Sequence, residues 1–162
     1  MTRRKYTLLD VISDVFAESS KSSDLPIGVE HVEKVDSDVI RVQFIDEVDC
    51  DLLCKEAIKE GYSVARSVFT PRIVYKGTII ARVGGRSDPA RQRSVFIYLI
   101  PPDKREMSTY REVVAVRHGV LDPRTGLVNS EKFLQFNLKV IRLLERYRKM
   151  RYESLSKRLE FH

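Results

Sequence analysis

Five cations in the last third of the chain are spaced to meet a polyanion. Lys132, Lys139, Arg142, Arg146 and Lys149 follow one another at intervals of 7, 3, 4 and 3 residues. At roughly 100° per residue of helix, these positions fall in one narrow stripe. Successive helical turns rise about 5.4 Å, so such a stripe can track the phosphates of a nucleic-acid backbone. The apolar residues of the same segment run from Phe133 and Leu134 through Ile141 and Leu144 to Tyr147 and Met150, and they wrap most of the remaining circumference. The pattern predicts a largely buried helix with one cationic face, from about residue 130 to at least 150. Residues 151–162 read as an extension of that helix or a tail, a place where two copies could associate.

A second group is rich in arginine. Arg82, Arg86, Arg91 and Arg93 sit on or beside the loop Gly84–Arg93, between two apolar strands. Gly84 and Gly85 permit close backbone approach. A β-ribbon with an arginine tip can enter a DNA groove, and arginine serves phosphates and guanine edges alike. The glycines match neither the Walker spacing nor the dinucleotide fingerprint.

The third group lies in the stretch Tyr110–Val120. Tyr110, Glu112, Val114, Val116 and His118 alternate with Arg111, Val113, Ala115 and Arg117, which predicts a strand. Beside Tyr75 and Tyr98 on neighbouring strands, Arg111 and Arg117 would complete a stacking platform for single-stranded bases.

Residues suited to catalysis are sparse in pattern. Carboxylates gather at Glu30, Glu33, Asp36, Asp38, Asp46, Glu47, Asp49 and Asp51. A metal-dependent nuclease needs two or three of these converging with a lysine, and no Asp is followed by a Glu-any-Lys strand. His31, His118 and His162 form no spaced pair, and no serine sits in a nucleophile elbow. Cys50 and Cys54 share one face of a helix, a spacing poor for a disulfide. Without a second tight pair of ligands they read as small core residues rather than a metal site. The sequence therefore names no catalytic residue, metal ligand or cofactor. Two cysteines at a spacing poor for a disulfide fit a reducing, cytoplasmic compartment.

The elements that must position these groups follow from periodicity. Leu8, Leu9, Ile12, Val15 and Phe16 make one stripe of a helix over 5–18, and residues 19–26 are a Ser-rich loop. Val29–Val35 and Asp38–Ile45 read as a hairpin turning at Asp36-Ser37. A helix over 46–60 points Leu53, Cys54, Ala57 and Ile58 inward and ends at Gly61. Strands follow over Tyr62–Phe69, over Arg72–Val83 with a turn at Lys76-Gly77, and over Ser94–Ile100. The expected fold is α+β, a single domain over 1–150. A mostly antiparallel sheet of five to six strands packs on a long C-terminal helix, with an N-terminal helix and one helix between strands 2 and 3. Such an order is similar to that of compact sheet-plus-helix nucleic-acid binders at the level of architecture alone.

Length and composition bound the function. The 162 residues are 43% apolar and 32% charged, enough for one folded domain without staples. No apolar run is long enough to span a membrane, and Asp10 and Asp14 interrupt any secretory signal after the basic start. Absent tryptophan and five amides in all, with abundant Glu, Arg, Lys, Val and Ile, give a thermophile-like composition. Charge is divided unevenly. Residues 1–60 hold 8 basic and 14 acidic residues, a balance of −6, and residues 61–162 hold 21 and 9, a balance of +12. That division predicts a non-enzymatic nucleic-acid-binding protein, of DNA or RNA, holding phosphates with the arginine loop and the helical stripe. The alternatives are a structural or assembly protein, such as a viral or ribonucleoprotein component, and, behind it, a metal-dependent nuclease.

Overall fold

Each helix begins where a short polar side chain can accept from the first unpaired backbone amides. A computed structural model describes residues 7–16, 25–66, 70–84 and 92–153. Helix α1 (Leu8–Phe16) opens on a reciprocal pair: the Asp10 carboxylate accepts from Thr7 N at 3.2 Å, and Thr7 Oγ1 accepts from Asp10 N at 3.3 Å. Asp49 caps α2 (Cys50–Lys59), and Gly61, at φ 89°, supplies the left-handed residue just past its end. Ser108 caps α3 (Thr109–Arg117), and Asn129 caps α4 (Ser130–Arg148).

Six strands form one antiparallel sheet. They are β1 (Val29–Asp36), β2 (Val39–Phe44), β3 (Ser63–Arg66), β4 (Pro71–Tyr75), β5 (Thr78–Val83) and β6 (Ser94–Tyr98). Their spatial order is β1-β2-β6-β5-β4-β3. The turn of the first hairpin is Ser37-Asp38, one residue later than the sequence predicts, because Asp36 still pairs with Val39. Lys76 and Gly77, both with positive φ, make the two-residue turn between β4 and β5, as expected.

One face of the sheet carries the core. Ile40, Val42 and Phe44 of β2 point inward with Val95 and Ile97 of β6, in register as Ile40↔Ile97 and Val42↔Val95. Helix α4 covers them with Val140, Ile141, Leu143, Leu144 and Tyr147, and it packs against α1 and α2 on either side. Each such side chain removed from water contributes about 1.5–3 kcal/mol. Asn137, buried on α4, donates to Ile100 O at 3.0 Å and accepts from Ile100 N at 2.9 Å. These bonds replace the ladder partners that the chain loses on leaving β6. Asn137→Ala strands both buried backbone groups and is expected to lower stability by about 2 kcal/mol, read as a lower urea midpoint at constant slope.

The α+β architecture, the six-stranded antiparallel sheet, the long C-terminal helix and the helix between strands 2 and 3 are those expected. The stretch Tyr110–Val120 is not a strand. It is α3 and the turn that follows, lying across one end of the sheet: Arg111 pairs with Asp38 at the β1–β2 turn, and Arg117 reaches Gly77 O at the β4–β5 turn. The run Val113-Val114-Ala115-Val116 favours the strand reading by residue type, but Arg111, Val114 and Ala115 bury at helical spacing behind the Ser108 cap. No helix among the described residues is long and apolar enough to cross a membrane.

Candidate nucleic-acid interface

The cationic stripe of α4 borders a groove. Its floor comes from the adjoining strands, where Tyr62 follows α2 and Tyr75 ends β4. Their rings meet edge to face at 5.5 Å. The groove encloses about 680 Å³, and Lys139, Arg142, Arg146 and Lys149 stand along it with Met150. A smaller pocket of about 140 Å³ shares Tyr75 and Lys139 and adds Lys76, His118, Lys132 and Phe136, so the two make one continuous surface.

Tyr75 is the hub of that surface. Lys139 Nζ donates to its hydroxyl at 2.9 Å and lies 4.8 Å from its ring centroid, while Lys76 lies 5.4 Å from the same ring. The Lys139 hydrogen bond, against the opposing effect of burial, leaves the Tyr75 phenol more acidic than usual. His118 stacks on Tyr75 at 5.3 Å and touches Phe136 at 4.8 Å, and its Nε2 pairs with Thr78 Oγ1 at 2.8 Å. Burial first, then Lys76, Arg117 and Lys139, push the imidazole below its ordinary range. The cations around the ring disfavour a further positive charge on it.

The five stripe residues are not equivalent. Arg146 is spent on α2: its Nε meets Glu56 and its Nη1 meets Glu60, both at 2.5 Å. Glu56 is 1% exposed, and although burial works to raise its carboxyl, Arg146 and Lys59 hold it below the usual range. Lys139 serves Tyr75. Lys132, Arg142 and Lys149 are exposed and have no side-chain partner among the described residues. Arg142 and Lys149 are two turns apart, about 11 Å along the axis. The two carboxylates in the groove are engaged: Glu60 by Arg146 and Glu145 by Arg148.

The arginine loop is divided by the fold. Arg86 and Arg91 lie outside the described residues. Arg93 pairs with Glu30 at 2.9 Å. Arg82 lies within β5 on the sheet face opposite the helices, 5.6 Å from the centroid of Phe96. Arg111 and Arg117, grouped in the sequence on one strand face, separate on α3. Arg111 is buried with Asp38 at 2.9 Å, and Arg117 braces the Lys76-Gly77 turn beside His118.

The acidic residues of the first third mostly face basic partners: Arg41 meets Glu33 at 3.3 Å, and Arg151 meets Asp46 at 3.1 Å and Asp49 at 3.4 Å. Among the described residues no three His, Cys, Asp or Glu side chains come together as a metal site. Sequence reading omitted Tyr62 and Lys76 from the site, and no local pattern marks them; only the pairing of β3 with β4 and the β4–β5 turn bring them to the helix. No family model, curated protein or solved structure matches this chain.

Proposed function

We propose that the protein is a non-enzymatic binder of nucleic acid, taking a single strand along the groove beside α4. Exposed Lys132, Arg142 and Lys149 contact phosphates, with Lys139 between them, and a base stacks on Tyr62, whose ring Tyr75 holds in place. The observation that carries this reading is the pairing of two tyrosine rings in the floor with three cations on the rim that have no counter-ion among the described residues. An aromatic floor suits splayed bases, because every base has a face that can stack on a ring. The reading assigns the protein to the cytoplasm, a location favoured by Cys50 and Cys54, neither of which is in a disulfide.

Fluorescence anisotropy with labelled single-stranded DNA, RNA and duplex across a salt series tests it. Four neutralised phosphates give a logarithmic salt slope of about −3 for a single strand. Arg142→Glu with Lys149→Glu is expected to weaken binding about ten-fold or more and to flatten that slope, and Tyr62→Ala to weaken it about ten-fold at unchanged slope. Folded variants that bind like the parent overturn the groove. Light scattering on the same samples reads the assembly alternative: a stable multimer formed without nucleic acid, with no binding to any of the three probes, supports assembly in its place.

A further inference from the structure

The opposite face of the sheet holds a second concavity. About 550 Å³ is enclosed between the β1–β2 turn, β4, β5 and the start of α3, with Arg72, Arg82, Arg111, Tyr98 and Tyr110 on its walls. Its arginines are placed by register: Arg72 pairs across β4–β5 with Arg82, and Arg82 lies opposite Phe96 on β6. Arg111 enters from α3 and lies 5.8 Å from the centroids of both Tyr98 and Tyr110.

These guanidiniums are undersupplied with acceptors. Arg111 is 2% exposed, and while its Nε meets Asp38, its Nη1 is buried with no hydrogen-bond partner among the described residues. Arg82 Nε is likewise buried and has no partner among the described residues. Each buried N–H left without an acceptor costs about 1–3 kcal/mol. Arg146 on the helix side, by contrast, meets two carboxylates. Arg72, Arg82 and Arg111 bring three guanidiniums to the wall of one cavity, and a phosphate group offers three acceptor oxygens to such a cluster.

The aromatic side narrows the ligand. Tyr110 is 57% exposed, and Tyr98 lines the same wall. An exposed phenol ring at the rim offers a stacking face for a planar group. At the far side stand Asp36 and Asp38. Asp36 accepts from Ser37 N at 2.7 Å through one oxygen, which leaves its second oxygen to accept from hydroxyl or amino groups. We infer that this cavity is a nucleotide site: Arg72, Arg82 and Arg111 take the phosphate, and Tyr110 stacks on the base. The site is independent of the groove beside α4, since it shares no residue with it.

Calorimetry with adenosine 5′-monophosphate, guanosine 5′-monophosphate, adenosine and inorganic phosphate tests the inference on the full chain. One or both nucleotides are expected to bind at least about ten-fold tighter than either adenosine or phosphate alone. Arg72→Gln and Arg82→Gln are each expected to weaken nucleotide binding about ten-fold, and Tyr110→Ala about five-fold, with melting temperatures unchanged for the exposed Arg72 and Tyr110. Single-stranded DNA affinity at the groove should not move in the Arg72→Gln protein, so failure here and failure of the groove are separable. A parallel titration with 5′-phosphorylated and 5′-hydroxyl oligonucleotides gives the source: a gain that requires Arg72 marks a strand end, and its absence beside tight mononucleotide binding marks a free nucleotide. Nucleotide binding that is absent or indifferent to Arg72 and Arg82 overturns the site. Inorganic phosphate binding as tightly as the nucleotides overturns the ligand class.

Discussion

Arg148→Met is expected to remove about 3–5 kcal/mol of folding stability, the largest loss from a single side chain away from the apolar core. Arg148 is 2% exposed, on the side of α4 that faces the domain. Its Nε and Nη2 bind Glu145 at 3.0 and 2.5 Å, Nη2 also binds Glu153 at 2.9 Å, and Nη1 donates to Ile27 O at 3.2 Å. Glu145 in turn accepts from Leu8 N at 3.0 Å, at the start of α1. One guanidinium therefore ties α4, α1, the entry to β1 and the last described turn. Methionine fills the volume but leaves two carboxylates near each other with no cation between them. Adding Glu145→Gln keeps an acceptor for Leu8 and removes one of those charges, so the double variant should recover about 1–2 kcal/mol of the loss in urea denaturation. A single variant that loses less than about 1 kcal/mol would show that water already solvates the network.

The same network explains which α4 cations can serve a ligand. Arg146 and Arg148 both lie near the end of the helix, and both are consumed by carboxylates of the chain itself. Arg142 and Lys149 have no carboxylate partner among the described residues, so charge reversal there removes ligand contacts without breaking an ion pair of that set. The sequence shows the stripe because helical period alone defines it. It does not show the division of labour, because Glu56 and Glu60 reach Arg146 from a helix 86 to 90 residues away in the chain.

The strands of the sheet were legible where apolar and polar residues alternate, as in β2, and where a turn demands positive φ, as at Lys76-Gly77. Helix α3 was not. Its β-branched residues fit a strand by type, and its burial pattern is helical only because it crosses the ends of the sheet rather than joining it. That difference moves Arg111 from a solvent-facing platform to a buried pair with Asp38. It also leaves the outer sheet face open around Phe96 and Tyr98, so the cavity there could be found only from the fold.

Gly28→Ala is expected to cost roughly 3 kcal/mol or more, for two reasons that can be measured apart. Gly28 sits at φ 91°, where any side chain is strained by about 1–2 kcal/mol. A Cβ there would also lie 2.2 Å from two ring carbons of Tyr152. That ring cannot easily give way. It is buried, stacked on Phe44 at 5.8 Å, and its hydroxyl is held by Asp46. Gly28 O meanwhile accepts from Ile45 N at 2.9 Å, which fixes the backbone on the other side. The clash is thus between two constrained groups, and overpacking of this kind costs about 1–3 kcal/mol more. In a Tyr152→Ala background the clash is gone, so Gly28→Ala should there cost only the backbone share, and urea denaturation of the four proteins gives the coupling directly. Equal cost in both backgrounds would show that the ring yields. The consequence reaches the groove. Tyr152 anchors the wide turn Lys149–Glu153, and Lys149 and Met150 line the groove from that turn. Displacing the ring should therefore weaken single-strand binding in the folded Gly28→Ala protein, although residue 28 touches no ligand in the arrangement we propose.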